Sequence, residues 1–201
     1  MLQLVAVAAL ALLAAPTPAA PFALHGDAGR TVALVARDGT KTKLSEVAAP
    51  VTVIAVWSTG CGPCIEDLPD LDQLARNYNK KDVAIMAVAI DPTEKLADVN
   101  ALVEKLHLKL PIYLGDYQDL VIIGEPPTAQ KTRHLLQIPL TLVIDAKLKT
   151  YRMLGSGQDS LLPRLIKQAR EGKLPDSPPP PSFLKKAPLS VPEESLTSHP
   201  D

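Results

Sequence analysis

The chain has 201 residues, a formal net charge of −1, two cysteines and an aromatic content of only 3%. That length fits one compact domain with extensions. The near-neutral charge argues against nucleic acid or an acidic membrane surface as partner, the scarcity of aromatics argues against a stacking platform for bases or sugars, and two cysteines cannot supply a multi-bridge framework or a four-cysteine zinc site.

Met1 to Ala15 is almost wholly apolar, about 14 residues long and so shorter than a membrane span. Small residues at Thr17, Ala19 and Ala20 offer cleavage points, although no Lys or Arg precedes the run. Residues 1–20 are therefore expected to be a secretory signal, with an uncleaved membrane anchor formed by residues 2–15 as the other reading. A lipoprotein is excluded because this stretch has no cysteine.

Thr31 to Val35 alternates weakly, Arg37-Asp38-Gly39-Thr40 carries an Asp-Gly hairpin signal, and Lys41 to Leu44 reads as the returning strand. Ser45-Glu46-Val47 begins a short turn. Val51 to Val56 is a β-branched, apolar strand that leads through Trp57-Ser58-Thr59-Gly60 into Cys61-Gly62-Pro63-Cys64. Ile65, Leu68, Leu71, Leu74 or Ala75, and Tyr78 then recur at helical spacing, which predicts a helix to about Asn79.

A dithiol at that position has a physical logic. Cysteines at i and i+3 of a helix start have Cα atoms about 5–5.5 Å apart, within the disulfide range of roughly 4.4–6.8 Å. Cys61 falls where unpaired N–H groups and the helix dipole favour a thiolate, the attacking species in disulfide exchange. Gly62 allows close approach of a partner, and Pro63 suits a first turn that has no use for its N–H. Cys64, pointing back toward the helix body, is expected to resolve the mixed disulfide that Cys61 forms. Gly-Pro between the cysteines argues against an inert staple.

Asp82 to Ile90 is a continuous apolar run, as in a strand buried on both faces. Asp91-Pro92-Thr93 is expected to cap a helix over 94–107. Strand, helix, strand in this order implies a parallel pair with a right-handed crossover. Leu110 to Leu114 leads out of that helix. Val121 to Pro127 reads as a loop and Thr128 to Leu136 as a short helix. Ile138 to Asp145 is a strand opened by Pro139, Lys147 to Leu154 is its hairpin partner, Gly155-Ser156-Gly157 breaks the chain, and Asp159 to Arg170 is the last helix. The expected domain covers 21–174. From Pro175 onward, 175–201 is proline-rich, with a polyproline run at 178–181, and reads as a disordered tail.

The stretch from Val53 to Cys64, with Ile138-Pro139 and then Leu142-Val143-Ile144-Asp145, resembles the thioredoxin superfamily. The Asp38-Gly39 hairpin and the export leader make it most similar to the extracytoplasmic TlpA/ResA-like thiol:disulfide oxidoreductases, over about residues 25–173. The resemblance implies an α/β, thioredoxin-like fold: a central mixed sheet flanked by helices, extended by an N-terminal hairpin. It implies a cis-proline at Pro139 beside the dithiol, with Ile138 and Leu140 lining a substrate groove that Leu140 makes more apolar. Residues 115–137 exceed the minimal fold and bear on partner choice.

In that branch an acidic residue stands three after the second cysteine, and here Asp67-Leu68-Pro69 occupies those places, with aspartate where glutamate is commoner. By helix spacing Asp67 lies near Cys64 and takes its proton, or else it merely joins Glu66 and Asp70 in acidic first turns that the dipole favours. Trp57 has two readings as well, packing under the turn or lining the groove. His25, His107, His134 and His199 are scattered, so no metal site is expected.

The resulting expectation is an exported enzyme that reduces disulfides of other exported proteins, with apocytochrome c haem-site cysteines the substrate the resemblance implies. No cofactor is expected beyond the Cys61–Cys64 disulfide, and the electrons would come from a membrane donor. A monomer without nucleic acid is expected. Glu66, Asp67, Asp70 and Asp72 oppose a thiolate at Cys61, which favours the reducing end of a scale running from about −270 mV for thioredoxin to about −120 mV for the oxidant DsbA. Two alternatives are a peroxiredoxin-like antioxidant protein, which lacks its characteristic Pro/Thr loop here, and a non-catalytic binding module.

Overall fold

The two apolar runs read from the sequence become the centre of the sheet because each buries both of its faces. In the computed structural model, which describes residues 32–121, 123, 137–157 and 159–178, β3 (Val51–Trp57) pairs in parallel with β4 (Val83–Ala89) over seven positions. Val51, Val53 and Trp57 face one core, and Ile54 and Val56 face the other. Around this pair the sheet runs β2-β1-β5-β4-β3-β6-β7, with β1 Ala33–Ala36, β2 Lys41–Lys43, β5 Ile112–Gly115, β6 Leu140–Ile144 and β7 Thr150–Leu154. β3, β4 and β5 are parallel and the remaining pairs antiparallel, so the sheet is mixed.

One face is covered by α2 (Gly62–Ala75), α3 (Leu96–Lys105) and α5 (Leu162–Arg170), through Leu68 and Leu71, Val99 and Val103, and Leu165, Ile166 and Ala169. Each set repeats at three- or four-residue spacing, so a single stripe of each helix is apolar. The other face takes Leu44 from α1 (Leu44–Val47) and Tyr117 and Leu120 from α4 (Tyr117–Val121).

Several boundaries differ from those read in the sequence. The returning strand stops at Lys43, because Glu46 accepts from the Lys43 N–H and the Thr42 hydroxyl and so starts a helix at Leu44, whose side chain is buried. α2 ends at Ala75, not near Asn79, since the Asn79 carbonyl already accepts from Asp82 and Val83 on the way into β4. α3 begins at Leu96 after a 3-10 turn over Thr93–Lys95, and Asp91 does not cap it. The segment after α3 is a true strand, β5, which joins the N-terminal hairpin to the sheet through Leu34↔Gly115. A Cβ at Gly115 would stand 2.9 Å from Val88 Cγ1, so a larger residue at this crossing would have to displace the Val88 side chain. The Asp38-Gly39 turn is present, with Gly39 at φ 86.

The expected loop and helix across 122–136, the leader and most of the tail lie outside the described residues, apart from Ile123, which is buried. Among those residues no helix is long and apolar enough to cross a membrane. The packed chain continues to Ser177, whose hydroxyl accepts from the Arg152 N–H and donates to the Thr150 carbonyl on the outer edge of β7.

Asp72 is a buried charge on α2, the first helix over the helical face. It is 3% exposed, yet one oxygen accepts from the N–H groups of Lys109 and Leu110, both at 2.6 Å, and the other from Arg76. Burial alone would raise its pKa, but these bonds outweigh burial and hold the carboxyl below its ordinary value of 3.8. The stabilisation is therefore complete above that ordinary value and is lost as pH falls through the lower folded value. Asp72→Ala strands two backbone N–H groups, so urea unfolding at pH 7 should show a loss of about 2–4 kcal/mol. The variant's stability should also fall less steeply than the parent's below about pH 4.

Candidate functional site

Trp57 ends β3 and Gly62 begins α2, so four residues must turn the chain and present a sulfur. The Ser58 carbonyl accepts from the Cys61 N–H at 3.1 Å, closing a turn with Thr59 and Gly60 at its centre. Cys61 is the N-cap of α2, with Gly62 and Pro63 exposed in the first turn. The two cysteines are joined as a disulfide with Cα atoms 5.3 Å apart, within the range expected from their spacing. The Cys64 N–H donates to Cys61 Sγ at 3.3 Å, so a helix N-terminal amide already points at the outer sulfur. Cys61 is half-buried, whereas Cys64 is 3% exposed. An incoming partner therefore meets Cys61 first.

Beneath Cys64 lies a cavity of about 20 Å³ lined by Trp57, Asp67, Pro139, Thr141 and Gly155 among others. A single water needs roughly 10–15 Å³, so there is room for one. The Ile138–Pro139 peptide is cis. The Asp67 carboxylate reaches this cavity and accepts from the Gly157 N–H at 3.3 Å. Burial raises its pKa, the Gly157 bond lowers it, and the like charges of Asp70 and Glu66 raise it further, with a net upward shift. Glu66 and Asp70 are exposed on the outer face of the helix. Asp67 thus stands apart from its acidic neighbours in place, turned toward the cavity while they face solvent.

Trp57 is 1% exposed and lines the cavity from below, with its indole N–H unpartnered among the described residues. It packs under the turn and has no surface on the groove. Ile138 is half-buried at the rim. The expectation for Leu140 is corrected: its side chain is buried in the core on the far face of the sheet, because alternation along β6 turns it away from the cysteines. Among the described residues no three His, Cys, Asp or Glu side chains gather to hold a metal ion. His25, His134 and His199 lie outside those residues.

Sequence reading missed Asp91. Its two oxygens accept from the Thr59 N–H at 2.9 Å and the Thr59 hydroxyl at 2.5 Å, so the end of β4 grips the centre of the turn that delivers Cys61. A carboxylate before Pro92 looks like a helix cap, and nothing local pairs it with a threonine 32 positions away.

The parallel β3–β4 pair, a helix opened by the dithiol and a cis-proline immediately before β6 define a thioredoxin-like fold carrying a CxxC disulfide. The chain belongs to the Redoxin family, whose model matches residues 24–161. Among curated proteins it is similar to the thiol-disulfide oxidoreductase ResA of Oceanobacillus iheyensis, with 31% identity over 94 residues, covering 45% of this chain and 48% of that one. The chain thus spans about half the length of the curated relatives it matches. Among solved structures, a thioredoxin-related protein of Neisseria meningitidis serogroup B superposes with TM-score 0.56 at 20% identity, over 69% of this chain and 98% of that one. A thioredoxin-family thiol:disulfide interchange protein of Chlorobium tepidum gives 0.55 at 17%, over 69% and 92%. These superpositions agree with the α/β fold and mixed sheet expected from sequence.

Asp91→Ala leaves the Thr59 N–H and hydroxyl without their acceptor and loosens the turn. The expected result is a loss of about 1–3 kcal/mol in urea unfolding. Alkylation of reduced Cys61 by iodoacetamide at pH 7 should also slow several-fold.

Proposed function

We propose that this protein is a thiol:disulfide oxidoreductase in which Cys61 attacks and Cys64 resolves. The observation that carries the reading is the asymmetry of one disulfide: an outer sulfur at a helix N-terminus, and an inner one buried over a cavity that holds a carboxyl of raised pKa. An inert staple has no need of that difference. Similarity to relatives called thiol-disulfide oxidoreductases supports the same activity.

In the reducing direction the Cys61 thiolate attacks one sulfur of a substrate disulfide. A Cys61–substrate disulfide forms and the other substrate sulfur leaves as a thiolate. Asp67 takes the Cys64 proton, directly or through a water in the cavity. Cys64 then attacks Cys61 Sγ, releasing the second substrate thiolate and closing the Cys61–Cys64 disulfide. Two electrons have passed to the substrate, and an outside dithiol must return them. Ile138, Gly62, Pro63 and Pro139 frame the approach to Cys61, and Trp57 supports the turn from below.

The direction follows from charge. Helix amides favour the Cys61 thiolate, but Glu66, Asp67 and Asp70 stand in the second and third turns of the same helix and oppose it. Asp72 drops out of this balance, since Arg76 and two backbone N–H groups compensate it. A modestly stabilised thiolate makes a reductant. We place it outside the cytoplasm, acting as a monomer on disulfides of other exported proteins, haem-site cysteines of apocytochrome c among them, and recharged by a membrane donor. The apolar segment at residues 2–15 supports export.

The reduction potential, read from Trp57 fluorescence in glutathione or dithiothreitol buffers, is expected well below about −200 mV, and a value near −120 mV would reverse the arrow. Cys61→Ser should abolish dithiothreitol-driven insulin reduction, and Cys64→Ser should accumulate the mixed disulfide. Asp67→Asn should slow resolution of that mixed disulfide by roughly 100-fold and remove the part of its pH dependence that the Asp67 carboxyl contributes. An unchanged pH profile would return Asp67 to a surface role.

A further inference from the structure

At the end of the sheet away from the cysteines, the β4–β5 ladder stops early. β5 pairs with Ala87 to Ala89 only, although β4 begins at Val83. The cause lies in two residues. Pro111 accepts from the Ala87 N–H through its carbonyl, but it has no N–H to return to the Ile85 carbonyl. The N–H groups of Lys109 and Leu110 are turned aside to Asp72.

Odd-numbered residues of β4 direct their backbone polar groups toward β5, as the Ala87–Pro111 bond shows, while Ile90 bonds to Trp57 on the other side. The Ile85 N–H and carbonyl therefore face this gap. Neither has a partner among the described residues, although Ile85 is only 5% exposed. Buried backbone groups are almost always paired.

The gap opens into a cavity of about 170 Å³ floored by Val83, Ile85, Met86, Leu110 and Val47. A void of about 150 Å³ takes a benzene ring, so this one admits a single leucine- or phenylalanine-sized side chain. Lys80 and Lys109 are exposed at its mouth, and the one carboxylate in its wall, Asp72, is paired with Arg76 beside them.

We infer that this notch is a second binding site, which takes an extended acidic segment of another polypeptide by pairing its backbone with Ile85. The segment seats one apolar side chain in the cavity and sets flanking carboxylates against Lys80 and Lys109. A free N–H and carbonyl on one strand residue match a strand backbone, which offers both an acceptor and a donor. α2 is 14 residues long, which is about 21 Å from Cys61 to this mouth. A partner held here leaves the dithiol open.

The test uses the full chain with its disulfide intact, labelled with nitrogen-15. Blocked tetrapeptides of sequence Glu-Leu-Glu-Glu and Lys-Leu-Lys-Lys are titrated alongside sodium octanoate. The acidic peptide is expected to move the Ile85 amide resonance and slow its hydrogen exchange at least fivefold, with little effect from the other two. Lys80→Glu combined with Lys109→Glu should weaken that peptide at least tenfold and leave Cys61 alkylation, measured after reduction, unchanged. The inference is overturned if millimolar acidic peptide leaves Ile85 unmoved, or if the basic peptide binds as well. Equal protection by octanoate would overturn it too, making the notch a site for small amphipathic anions.

Discussion

Everything at the reactive end depends on how four residues, Ser58 to Cys61, connect an almost wholly buried strand to a helix. β3 is held on both sides, by β4 over its whole length and by β6 over Thr52 to Val56, so its end cannot move. α2 is held by Leu68 and Leu71 in the core. The turn between two fixed objects has little freedom left, and the Asp91 carboxylate removes more by gripping Thr59. Cys61 is thereby delivered to the N-terminus of a helix, where backbone amides point at its sulfur. The sulfur's chemistry is a consequence of that placement.

Three aspartates show how environment, not residue type, assigns a role. Asp67 is partly desolvated among like charges, lines the cavity that Cys64 also lines, and has a raised pKa. Asp72, five residues on, is more deeply buried yet has a lowered pKa, because three donors meet it. Its work is structural: it ties the segment between α3 and β5 to α2. Asp91 sits at a strand end and acts on the turn across from it.

The molecule accordingly has two ends with different characters. Where β3 and β4 end, the chain carries a dithiol, a cis-proline and acidic side chains. Where β4 begins, Asp72 and Pro111 leave an apolar notch with cations at its mouth. Both features descend from the same parallel pair, since parallel strands send every crossover helix from one end of the sheet to the other.

The amino-acid sequence by itself determined the dithiol, the helix that follows it, the two central strands and the Asp38-Gly39 hairpin. Each is written in neighbouring residues, as a period, a turn pair or a spacing of three. It also pointed to Pro139 and Asp67, whose places follow from motif position. Only the tertiary structure decided that Leu140 faces the core, that Ile112–Gly115 is a strand, and where the carboxylates of Asp72 and Asp91 go. β5 is four residues long and shows little alternation of its own, so its pairing with β1 and β4 makes it a strand. Asp91 meets Thr59 across 32 positions, and Asp72 meets Lys109 and Leu110 across 37 and 38. Hydrogen bonds over such separations leave no local pattern, because the partners become neighbours only after the sheet has assembled.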